Sequence, residues 1–197
     1  MAQMDLTQGN ITKTLLKFAF PMICGNLLQQ LYNVVDTLIV GQFLGAGALA
    51  AVGSAYTLMT FLTSILLGMC MGSGALFSIR YGEGNSRRLQ EDMFVSFVLI
   101  ASVTVAVNIG VFVFLDGIMG LLLVPGDIYG LMRDYLAVIF WGTGGTFFYN
   151  YYASLLRAVG NSVVPLIFLG ISALINIVLD LYFVVSCGWG VEGAALA

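Results

Sequence analysis

Two carboxylates stand where the chain is otherwise free of charge. Asp36 lies in NLLQQLYNVVDTLIVG (26–41) and Asp180 closes ISALINIVLD (171–180). No Asp, Glu, Lys or Arg occurs in 18–35, 37–79 or 158–179. At 100° per residue, Asn26, Gln29, Gln30, Asn33, Asp36 and Thr37 share an arc of about 120° on one helix. The other faces carry Leu, Ile, Val and Phe. Ser172, Asn176 and Asp180 repeat the pattern at i, i+4 and i+8. An acid in hydrocarbon costs about 2.5–3.5 kcal/mol on insertion scales, so its default reading is functional. An Asp that only hydrogen-bonds a neighbouring helix is the plainer alternative, and so long a polar stripe disfavours it.

Depth joins the two acids. Asp36 follows Lys17 by 19 residues and Asp180 follows Arg157 by 23. At about 1.5 Å per residue both lie roughly 28–35 Å along their helices, in the outer half of a bilayer. Pro21 and Pro165 each precede their acid by 15 residues and permit a bend below it. Two acids in one low-dielectric site cannot easily both stay ionised. They can share a proton, or hold a cation with Asn176 supplying a carbonyl oxygen. Asp36, Asn176 and Asp180 are therefore candidate ion-coupling residues, with sodium and proton both open.

A different signature, FWGTGGTFFYNYYASLLRAVGN, begins at Phe140. Gly142, Gly144 and Gly145 are expected to loosen the helix in mid-membrane. Tyr149, Asn150, Tyr151 and Tyr152 follow near the inner end. Aromatic rings with a few polar groups suit an amphipathic organic guest, especially a cationic one. An interfacial tyrosine belt is the equal alternative for Tyr151 and Tyr152. Asn150 favours a cavity.

Other chemistries fall away. The chain has no His, which removes His-based metal sites and Ser-His-Asp triads. Cys24, Cys70 and Cys187 are isolated and expected to pack as small apolar residues. A net charge of −3 without a basic patch argues against nucleic acid. No nucleophile–base pair is visible, so no enzyme, catalytic residue or cofactor is expected. Gly68 and Gly72 have the spacing that lets membrane helices approach closely.

The elements that must carry these residues are membrane helices. The chain is 60% hydrophobic and 9% charged, with mean hydropathy +1.00, against about 45–50% and 25% in soluble domains. A span needs roughly 20 apolar residues. The charge-free stretches predict an all-α integral membrane bundle with five complete spans, at about 14–40, 52–80, 92–115, 130–157 and 162–186. A turn is expected at GQFLGAG, and a sixth span starts at about 190, after GWG. The chain is read as one six-helix lobe (1–197) of a longer protein. Six of the seven basic residues fall on one side, which places the N-terminus and the Arg87–Arg88 loop in the cytoplasm of a multi-pass plasma-membrane protein.

The stretches PMICGNLLQQLYNVVDTLIVGQFLGAGALAAVG, GSGALFSIRYGEGN, LLRAVGNSVVPL and NIVLDLYFVVSCGWGVEGAALA resemble the N-terminal half of multidrug and toxic compound extrusion (MATE) transporters. The resemblance covers nearly the whole chain with the motifs in order. It implies a twelve-helix exporter of two six-helix lobes, here without its C-terminal lobe, that expels organic and often cationic compounds in exchange for sodium or protons. Asp36 matches the family's first-helix acid, Pro21 its bending proline, and Asn176 and Asp180 the fifth-helix pair. Gln29, Tyr32, Asn33 and Asn150 correspond to cavity-lining positions. A threonine that completes the ion site in similar proteins would fall past Ala197. The rivals are a lipid-linked sugar flippase of the same superfamily, disfavoured because no Lys or Arg lies mid-span, and a non-transporting membrane subunit.

Overall fold

The structure, a computed structural model, describes residues 11–197. Its first helical run, Ile11–Gly82, is broken at Gly45, where φ 85° and ψ −177° leave the helical region. Only glycine adopts that backbone without strain. The run is therefore two antiparallel arms, α1 (11–44) and α2 (46–82). The expected turn contracts to a single residue, and both helices run past the expected span limits of 40 and 52. Leu49 seats on Gly41 across the reversal.

The remaining elements are α3 (Ser86–Leu121), α4 (Gly126–Ala158), α5 (Val163–Asp180), a π-helical segment Leu181–Ser186, and α6 (Gly190–Leu196). Local chemistry sets their ends. Asn85 caps α3 by accepting from the Arg88 amide at 3.1 Å, after Gly84 turns the chain at φ 68°. Asn161 accepts from the Val164 amide at 3.1 Å and starts α5. Pro165 sits in the first turn of α5, where no intrahelical donor is required. It marks a helix start rather than a bend.

Three helical stretches are long and apolar enough to cross a membrane: Ile11–Gly82, Ser86–Leu121 and Val163–Ser186. The 33-residue α4 has the length, but Gly142, Thr143, Gly144, Gly145, Thr146 and Asn150 dilute its hydropathy. Leu27, Leu31, Phe94, Val105, Val113 and Leu174 stand exposed. Such a coat suits lipid and not water.

Two clusters hold the bundle. Near Gly45, Ile39 and Val40 pack with Ala48, Val52, Met119, Met132, Leu136 and Val191. Toward the other end, Cys70, Phe77, Ile100, Phe147 and Tyr151 form a second. Tyr151 is buried there and donates to the Met93 carbonyl at 2.6 Å. It is neither belt nor cavity wall. Tyr152 is half-exposed and stacks on Phe148. Cys70 packs as expected, whereas Cys187 is exposed beyond the π segment.

Glycine packing also differs from expectation. A Cβ at Gly68 or Gly72 would meet nothing within 4 Å. The close approach is at Gly74, where a Cβ would lie 3.3 Å from the Ser154 Cβ and 3.4 Å from its carbonyl oxygen. Charges gather at the two ends. Arg80 pairs with Asp92 at 2.9 Å and Glu83 at 3.1 Å. At the opposite end Arg133 pairs with Asp116 at 3.0 Å, and the Tyr129 hydroxyl donates to the same oxygen. These donors hold the Asp116 carboxyl below the usual carboxylate range.

Candidate functional site: an acid pair beside a cavity

Helices α1 and α5 run parallel and in register. The Ser162 hydroxyl donates to the Phe18 carbonyl at 3.0 Å, across 144 positions of sequence. Asp36 and Asp180 are separated by the same offset. Between these points Gly25 faces Leu166 and Leu169, and Gly170 faces Leu28. Each helix offers a glycine to the other's leucine. The equal spacing of Pro21 and Pro165 from their acids reflects this register. Helix α1 continues through Pro21 as one helical run.

The register brings the two carboxyls within hydrogen-bonding reach of each other. Asp180 is fully buried, with 0% exposure, and Asp36 is partly buried. Asp36 Oδ1, both Asp180 oxygens and Asn176 Oδ1 are buried without a hydrogen-bond partner among the described residues. Ionised carboxylates only accept hydrogen bonds. Four buried acceptor oxygens, three from the acid pair and one from Asn176, thus have no donor among the described residues, chemistry that would suit a proton or a small hard cation. No group of three or more His, Cys, Asp or Glu side chains gathers among the described residues. A cation here would be held by two carboxylates and one amide.

Beside the pair opens a cavity of about 920 Å³. Asp36 lines it, with Asn33 and Tyr32 of α1, Tyr56 of α2, Tyr135 of α4 and Asn176 of α5. Asp180 lies behind this wall. Tyr135 is buried and feels the charge of both acids. Tyr32 shares a hydrogen bond with Gln29 and feels the charge of Asp36.

The candidate residues thus separate into groups. Asp36, Asn176, Tyr32 and Asn33 come together at the cavity, with Asp180 behind. Gln29 reaches the cavity only through Tyr32. Tyr149 lines a separate pocket of about 240 Å³ with Phe148, Tyr152 and Phe168. Asn150 turns its amide to the Thr146 carbonyl of its own helix at 2.8 Å. Tyr56 and Tyr135 carry no sequence signal of their own; an aromatic hydroxyl at the depth of the acids would have been the clue. The π segment directly after Asp180 was equally hidden. Phe183 and Trp189 stack across it at 4.9 Å, and Gly193 of α6 packs against both.

Fold and site together describe an all-helical bundle with long apolar helices, an acid pair and an adjoining cavity. Residues 21–182 match the MatE family model, and the chain belongs to that family. It is 30% identical to the probable multidrug resistance protein YpnP of Bacillus subtilis over 99% of its own length and 44% of the relative's. It is 31% identical to a second such protein from that organism, YoeA, over 88% of its length and 37% of the relative's. A MOP superfamily transporter from Pyrococcus furiosus superposes with a TM-score of 0.90 at 25% identity, covering 99% of this chain and 44% of that one. The chain spans less than half the length of these relatives.

Proposed function

We propose that this chain forms the N-terminal lobe of a secondary active efflux transporter that exchanges an organic, often cationic, compound for sodium or protons. The lobe contributes five complete spans and the start of a sixth, with the arms of Ile11–Gly82 counted separately and α4 counted as a span. One observation carries the reading: Asp36 belongs both to the cavity wall and to the acid pair. A cation bound between Asp36 and Asp180 neutralises the charge that a cationic guest in the cavity would otherwise meet. Ion and substrate then compete for one carboxylate, which is the requirement for antiport. Alternating access follows if this lobe rocks against a second one. The YpnP and YoeA names, which speak of multidrug resistance, agree with an organic cargo.

In this reading Asp36, Asn176 and Asp180 hold the coupling ion. Tyr32, Asn33, Tyr56 and Tyr135 shape the substrate cavity, with Gln29 steadying Tyr32. Pro21 is the point at which α1 bends during the cycle, and Tyr149 and Asn150 serve the path below the cavity. The basic ends of α1, α2 and α4 lie at the cytoplasmic face of the plasma membrane.

The test is export of a fluorescent organic cation from vesicles holding the full-length protein, under imposed sodium or proton gradients. Gradient-driven export should be present in wild type and lost in Asp36→Asn and Asp180→Asn at equal protein level. Near-normal export by both variants would falsify the coupling role. Export that ignores both gradients would refute antiport itself.

A further inference from the structure

A second, smaller chamber of about 60 Å³ lies behind the cavity, where α2, α3 and α4 meet. Its polar lining is Thr63, Asn108, Thr143 and Thr146, one or two groups from each helix. It shares Met59, Ile139 and Thr146 with the main cavity. Polar side chains in a membrane ordinarily satisfy themselves within their own helix. Thr37, Ser64, Ser102 and Thr104 do so, each donating to the carbonyl four residues back at 2.6–2.8 Å. No such bond ties the hydroxyls of Thr63, Thr143 or Thr146 to another described residue. Asn108 instead reaches across to α4 and donates to the Phe140 carbonyl at 2.7 Å.

That carbonyl opens the glycine segment of α4. Gly142, Gly144 and Gly145 have ordinary helical backbone and nothing within 4 Å of where a Cβ would stand. Neither packing nor conformation requires glycine at any of them here. Each is a poorer helix former than alanine. Three unused glycines, a side chain inserted at a backbone carbonyl and a polar chamber coincide on one turn and a half of helix. Helices bend where glycines cluster and where a side chain or water enters the hydrogen-bond ladder. A chamber of this size holds water when it offers two to four polar partners.

We propose that the chamber binds resident water, held by Thr63, Asn108, Thr143 and Thr146, and that this wet segment (140–146) is the flexing point of α4. Water there can accept from or donate to α4 amides and carbonyls as their helical bonds lengthen, so bending leaves no backbone group unpaired. Flexing at this point shifts the part of the cavity wall that carries Tyr135 and Ile139 relative to Thr146.

The proposal is tested by hydrogen–deuterium exchange on the full-length protein, which needs no transport. Amides of 141–147 should exchange at least about ten times faster than those of 102–108 in α3, a difference equivalent to about 1.4 kcal/mol in opening free energy. The double variant Thr63→Val, Thr143→Val keeps the volume and removes two water partners, and should slow exchange in 141–147 without altering α3. Protection in wild-type α4 equal to that in α3 overturns the proposal. So does fast exchange that the double variant leaves unchanged, since glycine alone would then account for it.

Discussion

Asp36→Asn should make the protein more stable while stopping ion-driven transport. In the folded chain, Asp36 Oδ1 and both Asp180 oxygens are buried acceptors without a donor among the described residues. The amide introduced at position 36 keeps the carboxylate's shape, removes one of two facing acidic groups and points N–H donors at Asp180. A buried polar group left unpaired costs about 1–3 kcal/mol. Satisfying one Asp180 oxygen should therefore raise unfolding free energy by about 1–3 kcal/mol, where one to two kcal/mol already shifts the folded-to-unfolded ratio by a factor of about 5–30. The assay is denaturant titration of the purified protein in detergent, in sodium-free alkaline buffer, comparing wild type, Asp36→Asn and Asp180→Asn. Both variants should unfold at higher denaturant. A midpoint that falls in Asp36→Asn would refute the reasoning, because it means that the carboxylate is holding a donor on a neighbouring helix. The expected pattern, stability gained as activity is lost, marks a site kept strained for function.

Three further outcomes follow from the packing and the charged ends. Gly74→Val should destabilise by about 1–3 kcal/mol through overpacking against Ser154, whereas Gly68→Ala and Gly72→Ala should be neutral or slightly stabilising; thermal unfolding of the three variants separates them. Tyr151→Phe should cost about 0.6–1.7 kcal/mol, the range for a helix–helix hydrogen bond in a membrane, and leave substrate affinity unchanged, since Tyr151 lies in a packed cluster away from the cavity. Arg133→Gln should raise the Asp116 titration toward the ordinary carboxylate value, read by carboxyl carbon NMR. Because Asp116 titrates low in the folded protein, the stability it contributes is complete above its unfolded-state value, fades as pH falls through the folded one, and should be smaller throughout in the variant.

The acid pair was legible because hydrocarbon makes polarity conspicuous. A stripe of Asn, Gln and Asp can be read by angle, and depth can be counted from the flanking Lys17 and Arg157. The rest depended on distances that no periodicity encodes. Gly45 is one of several glycines in GQFLGAGALAAVG, and nothing local says which takes the backbone that reverses the chain. Gly68 and Gly72 fit a spacing rule, but Gly74 faces Ser154 because of how α2 is rotated in the bundle. Tyr151 and Tyr152 are adjacent and alike in sequence, and only the position of Met93 and Phe97 sends one inward. Tyr135 directly follows the charged pair Arg133–Asp134 near the start of α4, which reads as a helix end, and it becomes part of the site only because α1 and α5 present their acids to that helix.

The matched register of α1 and α5 has a consequence for how this chain can change over generations. From Gly25 to Asp36 and from Leu169 to Asp180 the two helices count off equal lengths, measured from a shared contact. A residue inserted or lost in either stretch turns that acid about 100° away from its partner, while the glycine–leucine contacts below stay in place. Loops at 83–85 and 122–125 can lengthen freely, but these two stretches can change length only together. Relatives diverged far in side-chain identity should still keep the two counts equal, and a lineage in which one count has shifted alone should no longer hold its two acids as a pair.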